Sequence, residues 1–245
     1  MSGVGDLVSG LTSGGLPRWI HVWKVDLSRL DCRAAERVLS VEERLAAGRF
    51  RFARDRVAFL ARRMARRQIL SLYTGEFPEN LTFGANAWGK PYLTGASGGR
   101  GIEFNTSCSG NRALIAVACE VAVGVDLQVE TAQIEMTEIA ERFFHEADRR
   151  KLRSLPEGLR GGLFYQLWTR AEAIGKALGT GLGSEIVSTV EGSQFEFSVE
   201  ADGGSRGMLR SGIWTCQQLQ VGLPGWQGAI CVNTESFRVR YLEWP

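Results

Sequence analysis

Histidine is nearly absent from this chain of 245 residues, which carries only His21 and His145. A zinc site built from clustered imidazoles is therefore excluded, and any catalysis has to rest on carboxylates, Lys, Arg or Cys. Cysteine is sparse too. Cys32, Cys108, Cys119, Cys216 and Cys231 are odd in number, widely spaced and without a CxxC pair. That argues against a disulfide framework and a zinc ribbon, and it points to a reducing cytoplasm. Long hydrophobic runs are missing: Ala113 to Leu127 is broken by Glu120 and falls short of the ~20 residues that cross a bilayer. No membrane span is expected. Charge of one sign is also lacking, since Lys+Arg 29 against Asp+Glu 27 leaves a net +2. A nucleic-acid module would want a wider bias with exposed aromatics among its basic residues. The opening MSGVGDLVSGLTSGGLPRW has neither a basic n-region nor a continuous apolar stretch, so residues 1–17 read as a flexible Gly/Ser leader rather than an export signal.

What remains is the composition of an ordinary soluble globular chain, 44% hydrophobic and 23% charged, long enough to bury its core without staples. From Trp19, IHVWKVDL alternates with the period of a strand. Ser40 with Glu43 three positions on forms a capping box that opens a helix. Val57, Leu60, Ala61, Met64, Ala65 and Gln68 make the stripe of a second, Arg-studded helix that runs to about Leu72. A polar loop then carries WGKPYL (Trp88 to Leu93), followed by β candidates at Ile102 to Asn105, Ala113 to Cys119 and Val121 to Leu127. The last two are apolar on both faces and belong inside a sheet. Helices are expected from Glu138 to about Leu152 and from Arg160 to Leu178, where Gly179 stops the second. Strands follow at Phe195 to Val199, Ile213 to Leu219, Gly228 to Val232 and Phe237 to Leu242. The pattern is α+β repeated about twice, and the division falls within Gly124 to Glu130, giving lobes 18–125 and 126–245.

The chemistry concentrates in VGVDLQ (Val123 to Gln128) and FYQLWTRAEAIGKALGTGL (Phe164 to Leu182). Asp126 closes an apolar strand, where its carboxylate is expected at the sheet edge. Tyr165, Thr169, Glu172 and Lys176 form a polar row on a helix. A strand Asp meeting a helix Glu makes a hard oxygen site suited to Mg²⁺, which takes one or two carboxylates with waters and phosphate oxygens. A lysine beside it offsets phosphate charge. Taken alone, Glu172 and Lys176 are an ordinary helix ion pair worth ~0.3–0.5 kcal/mol.

These residues lie within a longer likeness. LSVEERLAAGRFRFARDRVAFLARRMARRQIL (Leu39 to Leu70), WGKPYL, FNTSCSGNRALIAVA (Phe104 to Ala118), VGVDLQ, and RFFHEADRRKL (Arg142 to Leu152) leading to LWTRAEAIGKALGTGL (Leu167 to Leu182) resemble, in order and spacing, the Sfp-type 4′-phosphopantetheinyl transferases. The resemblance implies a monomeric α+β protein of two pseudo-twofold-related lobes, each a small antiparallel sheet packed with helices. It implies transfer of the 4′-phosphopantetheine arm of coenzyme A to a serine of an apo acyl or peptidyl carrier protein, with Mg²⁺ and release of adenosine 3′,5′-bisphosphate. Asp126, Gln128 and Glu172 become metal ligands, Glu172 and Lys176 the catalytic pair, and Lys90, Ser107, Cys108 and Arg49 the coenzyme A contacts.

The chain departs from the family pattern at several positions. Cys108 stands where a His is common, Gln128 where a third acid is common, and Ala171 where a Lys commonly precedes the metal-binding Glu. Ala46 and Ala85 fall at positions usually basic. Arg44, Arg49 or Arg63 can supply the missing cations. Cys108 also opens an alternative, a repurposed homologue that binds a carrier protein and acts on its tethered acyl chain, although no His lies near it in sequence to activate a thiolate.

Three other signals are weighed against plainer explanations. The segment from Arg44 to Arg67 is either a surface for an acidic partner or a solvated helix face. GASGG (Gly95 to Gly99) satisfies GxSxG, but a strand-like run follows it instead of the helix of a nucleophile elbow. GTGLGS (Gly179 to Ser184) follows a helix rather than opening one and reads as a C-cap and turn.

Overall fold

A computed structural model of the chain describes residues 18–131, 136–180, 198–199, 204–209 and 212–244. It divides into two compact units, Met1–Glu120 with Arg238–Pro245, and Val121–Phe237. The division falls ahead of the Gly124 to Glu130 stretch expected from sequence. The proposed leader 1–17, most of Phe195 to Val199 and most of the Gly179 to Ser184 turn lie outside the described residues.

In the first unit, β1 (Arg18–Asp26), β4 (Ile102–Ser109), β5 (Arg112–Cys119) and β11 (Phe237–Trp244) form a sheet in the order β11-β1-β5-β4, in which β5 pairs antiparallel with both β1 and β4. β5 is apolar on both sides and lies inside, as its sequence requires. β11 comes from the end of the chain, so the last strand belongs to the first unit although sequence order grouped it with the second. A separate hairpin joins β2 (Thr82–Ala85) to β3 (Pro91–Thr94). Helices α1 (Ala35–Val38), α2 (Val41–Gly48), α3 (Ala53–Thr74) and the single turn α4 (Gly95–Gly98) complete the unit. The capping box at Ser40 is formed in both directions with Glu43. Helix α3 places Ala61, Ala65, Ile69 and Tyr73, spaced by four, on Trp23, Val25, Phe104, Ile115 and Val117 of the sheet. Gly75, at φ 72°, ends it in the left-handed conformation that glycine adopts most cheaply.

His21 is sealed under α3 at 1% exposure. Its Nδ1 lies 2.9 Å from the Tyr73 hydroxyl, which also accepts from Trp23 Nε1 at 2.7 Å, while Nε2 is buried without a hydrogen-bond partner. Burial first, and the Arg240 charge second, push its pKa down from 6.5 to about 4. The folded protein therefore refuses a proton that the unfolded chain accepts. Stability present above pH ~6.5 is lost as the pH falls through the window to ~4, by about 3 kcal/mol in total. Chemical denaturation across that window is expected to show His21→Asn losing less stability than the parent. Equal losses would exclude His21 as the cause.

In the second unit, β6 (Val123–Val129), β7 (Ser198–Val199), β8 (Gly204–Leu209), β9 (Gly212–Gln218) and β10 (Trp226–Val232) follow the order β6-β10-β9-β8-β7, antiparallel throughout. β6, expected inside a sheet, begins this described order. Three helices, α5 (Met136–Phe143), α6 (Glu146–Ser154) and α7 (Glu157–Leu178), join them. The single helix expected from Glu138 to Leu152 is thus two. His145 takes an extended backbone and its Nδ1 caps the second helix by accepting from Ala147 N–H at 3.4 Å. Helix α7 ends at Gly179, again left-handed, and lays Ala173, Ile174 and Ala177 on Cys216, Ala229 and Cys231.

Cys216 and Cys231 face each other across β9 and β10 and form a disulfide. This corrects the expectation drawn from the cysteine count, which considered spacing along the chain rather than strand register. The cysteine count consequently no longer argues for a compartment. Among the described residues no helix is long and apolar enough to cross a membrane.

Candidate active site

The site grows from one close approach. Gly124 of β6 sits directly under α7: a Cβ there would overlap the Ala173 carbonyl oxygen and the Ala177 nitrogen, and would stand 2.8 Å from the Ala177 Cα. Only glycine allows strand and helix backbones this near. Two residues on, and so on the same side of the strand, Asp126 comes alongside α7. Its Oδ1 accepts from Lys176 Nζ at 2.6 Å, and its Oδ2 accepts from Gln128 Nε2 at 3.4 Å. Asp126 is 1% exposed rather than held at a solvent-facing sheet edge. A buried carboxylate needs a counter-charge, and Lys176 supplies one.

Glu172 lies one turn before Lys176. Burial raises the pKa of its carboxyl, the Asp126 charge raises it further, and Lys176 works in the opposite direction. Asp126 and Glu172 are therefore close enough to repel, and Lys176 balances both. The lysine does not simply serve as the i+4 partner of Glu172 that helix spacing suggested, since its 2.6 Å bond crosses to the strand. Tyr165 and Thr169, placed in the same polar row, are structural instead. The Tyr165 hydroxyl donates to the Thr131 carbonyl and accepts from its amide, and Thr169 Oγ1 donates to the Tyr165 carbonyl.

The donor set suits a hard dication. Among the described residues no three His, Cys, Asp or Glu side chains gather as a protein cage. Two mutually repelling carboxylates and an amide are what an ion that keeps waters and substrate phosphates can use. Gln128 presents its amide nitrogen to Asp126, so an oxygen ligand from Gln128 would require the amide to turn.

The residues assigned to coenzyme A lie in the first unit. Ser107 and Cys108 are neighbours on β4 and therefore face opposite sides of the sheet. Cys108 packs with the core that contains Ile102 and Phe104, whereas Ser107 shares its side with Glu103 and Asn105. The two do not act on one ligand from one face, and Cys108 behaves as a small core-filling residue. Lys90 follows Gly89, at φ 86°, in a turn where the Asn86 side chain accepts from the Lys90 amide at 2.9 Å. Burial lowers the Lys90 pKa while the Glu103 charge opposes that shift, which associates Lys90 with the Ser107 side of β4. Arg49 is the exposed C-cap of α2.

Sequence reasoning missed how much of the arginine-rich segment is internal. Arg66 and Arg67 are 5% and 2% exposed and clasp Glu43 at 3.0 and 2.6 Å. Arg67 also donates to the Pro78 and Leu81 carbonyls. Both were visible only as charges on a helix. Ser97 of GASGG is buried and bonded to Glu76, so it is no nucleophile.

Sheet-and-helix units, one of them gathering two carboxylates and a lysine, define an α+β enzyme class, and similarity to known proteins says which. Residues 122–231 match the family described as the 4′-phosphopantetheinyl transferase superfamily, and residues 23–120 match one described as 4′-phosphopantetheinyl transferase, N-terminal. The 4′-phosphopantetheinyl transferase HetI of Nostoc sp. is 34% identical over 165 residues, covering 66% of this chain and 70% of its own. A putative 4′-phosphopantetheinyl transferase of Synechocystis sp., slr0495, is 35% identical over 166 residues, 68% and 67% of the two chains. The 4′-phosphopantetheinyl transferase psf-1 of Bacillus pumilus is 29% identical over 223 residues, 87% and 90%. This chain belongs to the 4′-phosphopantetheinyl transferase superfamily and is an enzyme of that class.

Proposed function

We propose that the protein transfers the 4′-phosphopantetheine arm of coenzyme A to a serine hydroxyl of an apo acyl or peptidyl carrier protein, with Mg²⁺, releasing adenosine 3′,5′-bisphosphate. The observation that carries this reading is the Asp126, Glu172 and Lys176 cluster, in which buried Asp126 raises the pKa of half-buried Glu172 and bonds to the Lys176 ammonium at 2.6 Å. Asp126 and Glu172 would hold Mg²⁺, with Gln128 beside them, and the ion would neutralise charge on the diphosphate. Glu172, its pKa raised by burial and by the Asp126 charge, accepts the proton of the carrier serine. Lys176 offsets negative charge on the departing phosphate. Lys90, Ser107 and Arg49 contact coenzyme A. Attack of an oxygen nucleophile on a diphosphate brings anions together, so positioning and cations are the catalytic requirement, and this cluster offers both.

Intact-mass spectrometry of apo carrier protein incubated with enzyme, coenzyme A and Mg²⁺ tests the reading. The carrier is expected to gain one phosphopantetheine arm, and chelation of the metal to abolish the gain. Carriers from fatty-acid, polyketide and peptide assembly all left unmodified would reject it.

A further inference from the structure

Cys216, Cys231 and Gly124 form one row across three strands of the second unit. Cys216 of β9 stands opposite Cys231 of β10, and Cys231 stands opposite Gly124 of β6. Cross-strand partners share a face, and here it is the face that α7 covers: both cysteines are fully buried and pack with Ala173, Ile174 and Ala177. At the Gly124 end of the row the helix backbone lies so near that a methyl group has no room. Glu172 and Lys176 immediately precede Ala173 and Ala177, so the stretch of helix seated on the disulfide is the one that carries the carboxylate and the ammonium of the candidate site.

A disulfide in this position is a redox-dependent spacer. Bonded sulfurs lie well inside van der Waals contact, whereas two thiols repel at that separation and need more room. In a close-packed core that room comes only from moving what covers the pair, and the Gly124 end of the row offers none. We propose that Cys216 and Cys231 are a thiol–disulfide switch: the oxidised pair lets α7 seat on the sheet and bring Lys176 to Asp126 at 2.6 Å, and the reduced pair lifts the helix and parts them. The reductant is a dithiol. Its thiolate attacks one sulfur to give a mixed disulfide, which its second thiol then displaces, so Cys216 and Cys231 each gain one electron and one proton while the dithiol becomes a disulfide. Because both sulfurs are buried, attack requires the helix to open first, and anything that holds α7 down opposes reduction. Cys32, Cys108 and Cys119 are free, belong to the first unit and take no part.

The air-oxidised enzyme is reduced with dithiothreitol and reoxidised with diamide, and at each stage alkylated thiols are counted by intact mass, amide exchange is followed in α7, and transfer to apo carrier protein is timed. On reduction the thiol count is expected to rise from three to five, exchange over residues 172–178 to quicken about tenfold or more, and kcat to fall about tenfold or more, with all three restored on reoxidation. In Cys216→Ala/Cys231→Ala, which lacks both the bond and the bulk of the thiols, dithiothreitol should change neither exchange nor rate. Should that variant not fold, the parent's own cycle carries the test. Five thiols before any reductant, or three after long native exposure to dithiothreitol, would overturn the switch. So would a reduced parent with the exchange and kcat of the oxidised one, or a dithiothreitol effect that persists in the double alanine variant. The rate measurement rests on the transferase reading, whereas thiol counting and exchange do not. An oxidised parent inactive toward every carrier would therefore reject that reading, while exchange in α7 would still decide the switch.

Discussion

Glu172→Gln is expected to lower phosphopantetheinyl transfer about a thousandfold or more while leaving the melting temperature unchanged or higher. Loss of a general base costs ~10²–10⁴ in rate, and this carboxylate is also assigned to the metal. The stability side follows from the direction of its titration. Burial and Asp126 raise the folded-state pKa of Glu172, so the folded protein favours the protonated form, and stability falls as the pH rises from the unfolded value through the folded one. Glutamine keeps the shape and removes the charge, which lifts that penalty at neutral pH. Loss of rate with retained folding separates chemistry from architecture; parental activity in Glu172→Gln would exclude the residue as base and ligand together. Lys176 gives a finer measurement. Its ammonium holds the Glu172 pKa down, so in Lys176→Met the acid limb of kcat/KM should move to higher pH. A limb that stayed in place would mean that Glu172 does not govern it.

Gly124→Ala is expected to destabilise the second unit by about 3 kcal/mol or more and to lower the melting temperature by roughly 5–10 °C. The atoms in the way belong to the backbone of α7, at Ala173 and Ala177, so no side chain can swing aside. Strand and helix must separate instead, which draws Asp126 away from Lys176. Transfer should therefore fail even where the fold survives. Gly161→Ala in the same helix is the control: a Cβ there meets nothing within 4 Å, and the change should be neutral or mildly stabilising. Similar losses in the two variants would show that glycine matters through helix propensity rather than through close approach.

The α+β character, the capping box at Ser40 and Glu43, and the helical spacing of Glu172 and Lys176 were legible in the sequence because each is a local pattern. Alternation, an i to i+3 cap and an i to i+4 pair need no knowledge of distant partners. Contacts across elements were not legible. Helix spacing paired Lys176 with Glu172, whereas its 2.6 Å bond is to Asp126, fifty positions away along the chain. Gly124 carried a signal, an isolated glycine in an apolar strand, that implied close backbone approach without saying to what. The resemblance implied coenzyme A contacts at both Ser107 and Cys108, yet neighbours on a strand point to opposite faces. The disulfide needed the register of β9 against β10, which no spacing rule supplies.

The origin of β11 has a consequence for biosynthesis. A ribosome delivers residues in order, so the sheet containing the earliest described strand lacks one of its members until residues 237–244 emerge. Throughout translation of the intervening polypeptide, the flank of β1 that β11 will occupy is left with backbone donors and acceptors turned to solvent, a template for mispairing with neighbouring nascent chains. Assembly of the first unit is thereby tied to the synthesis of residues 237–244.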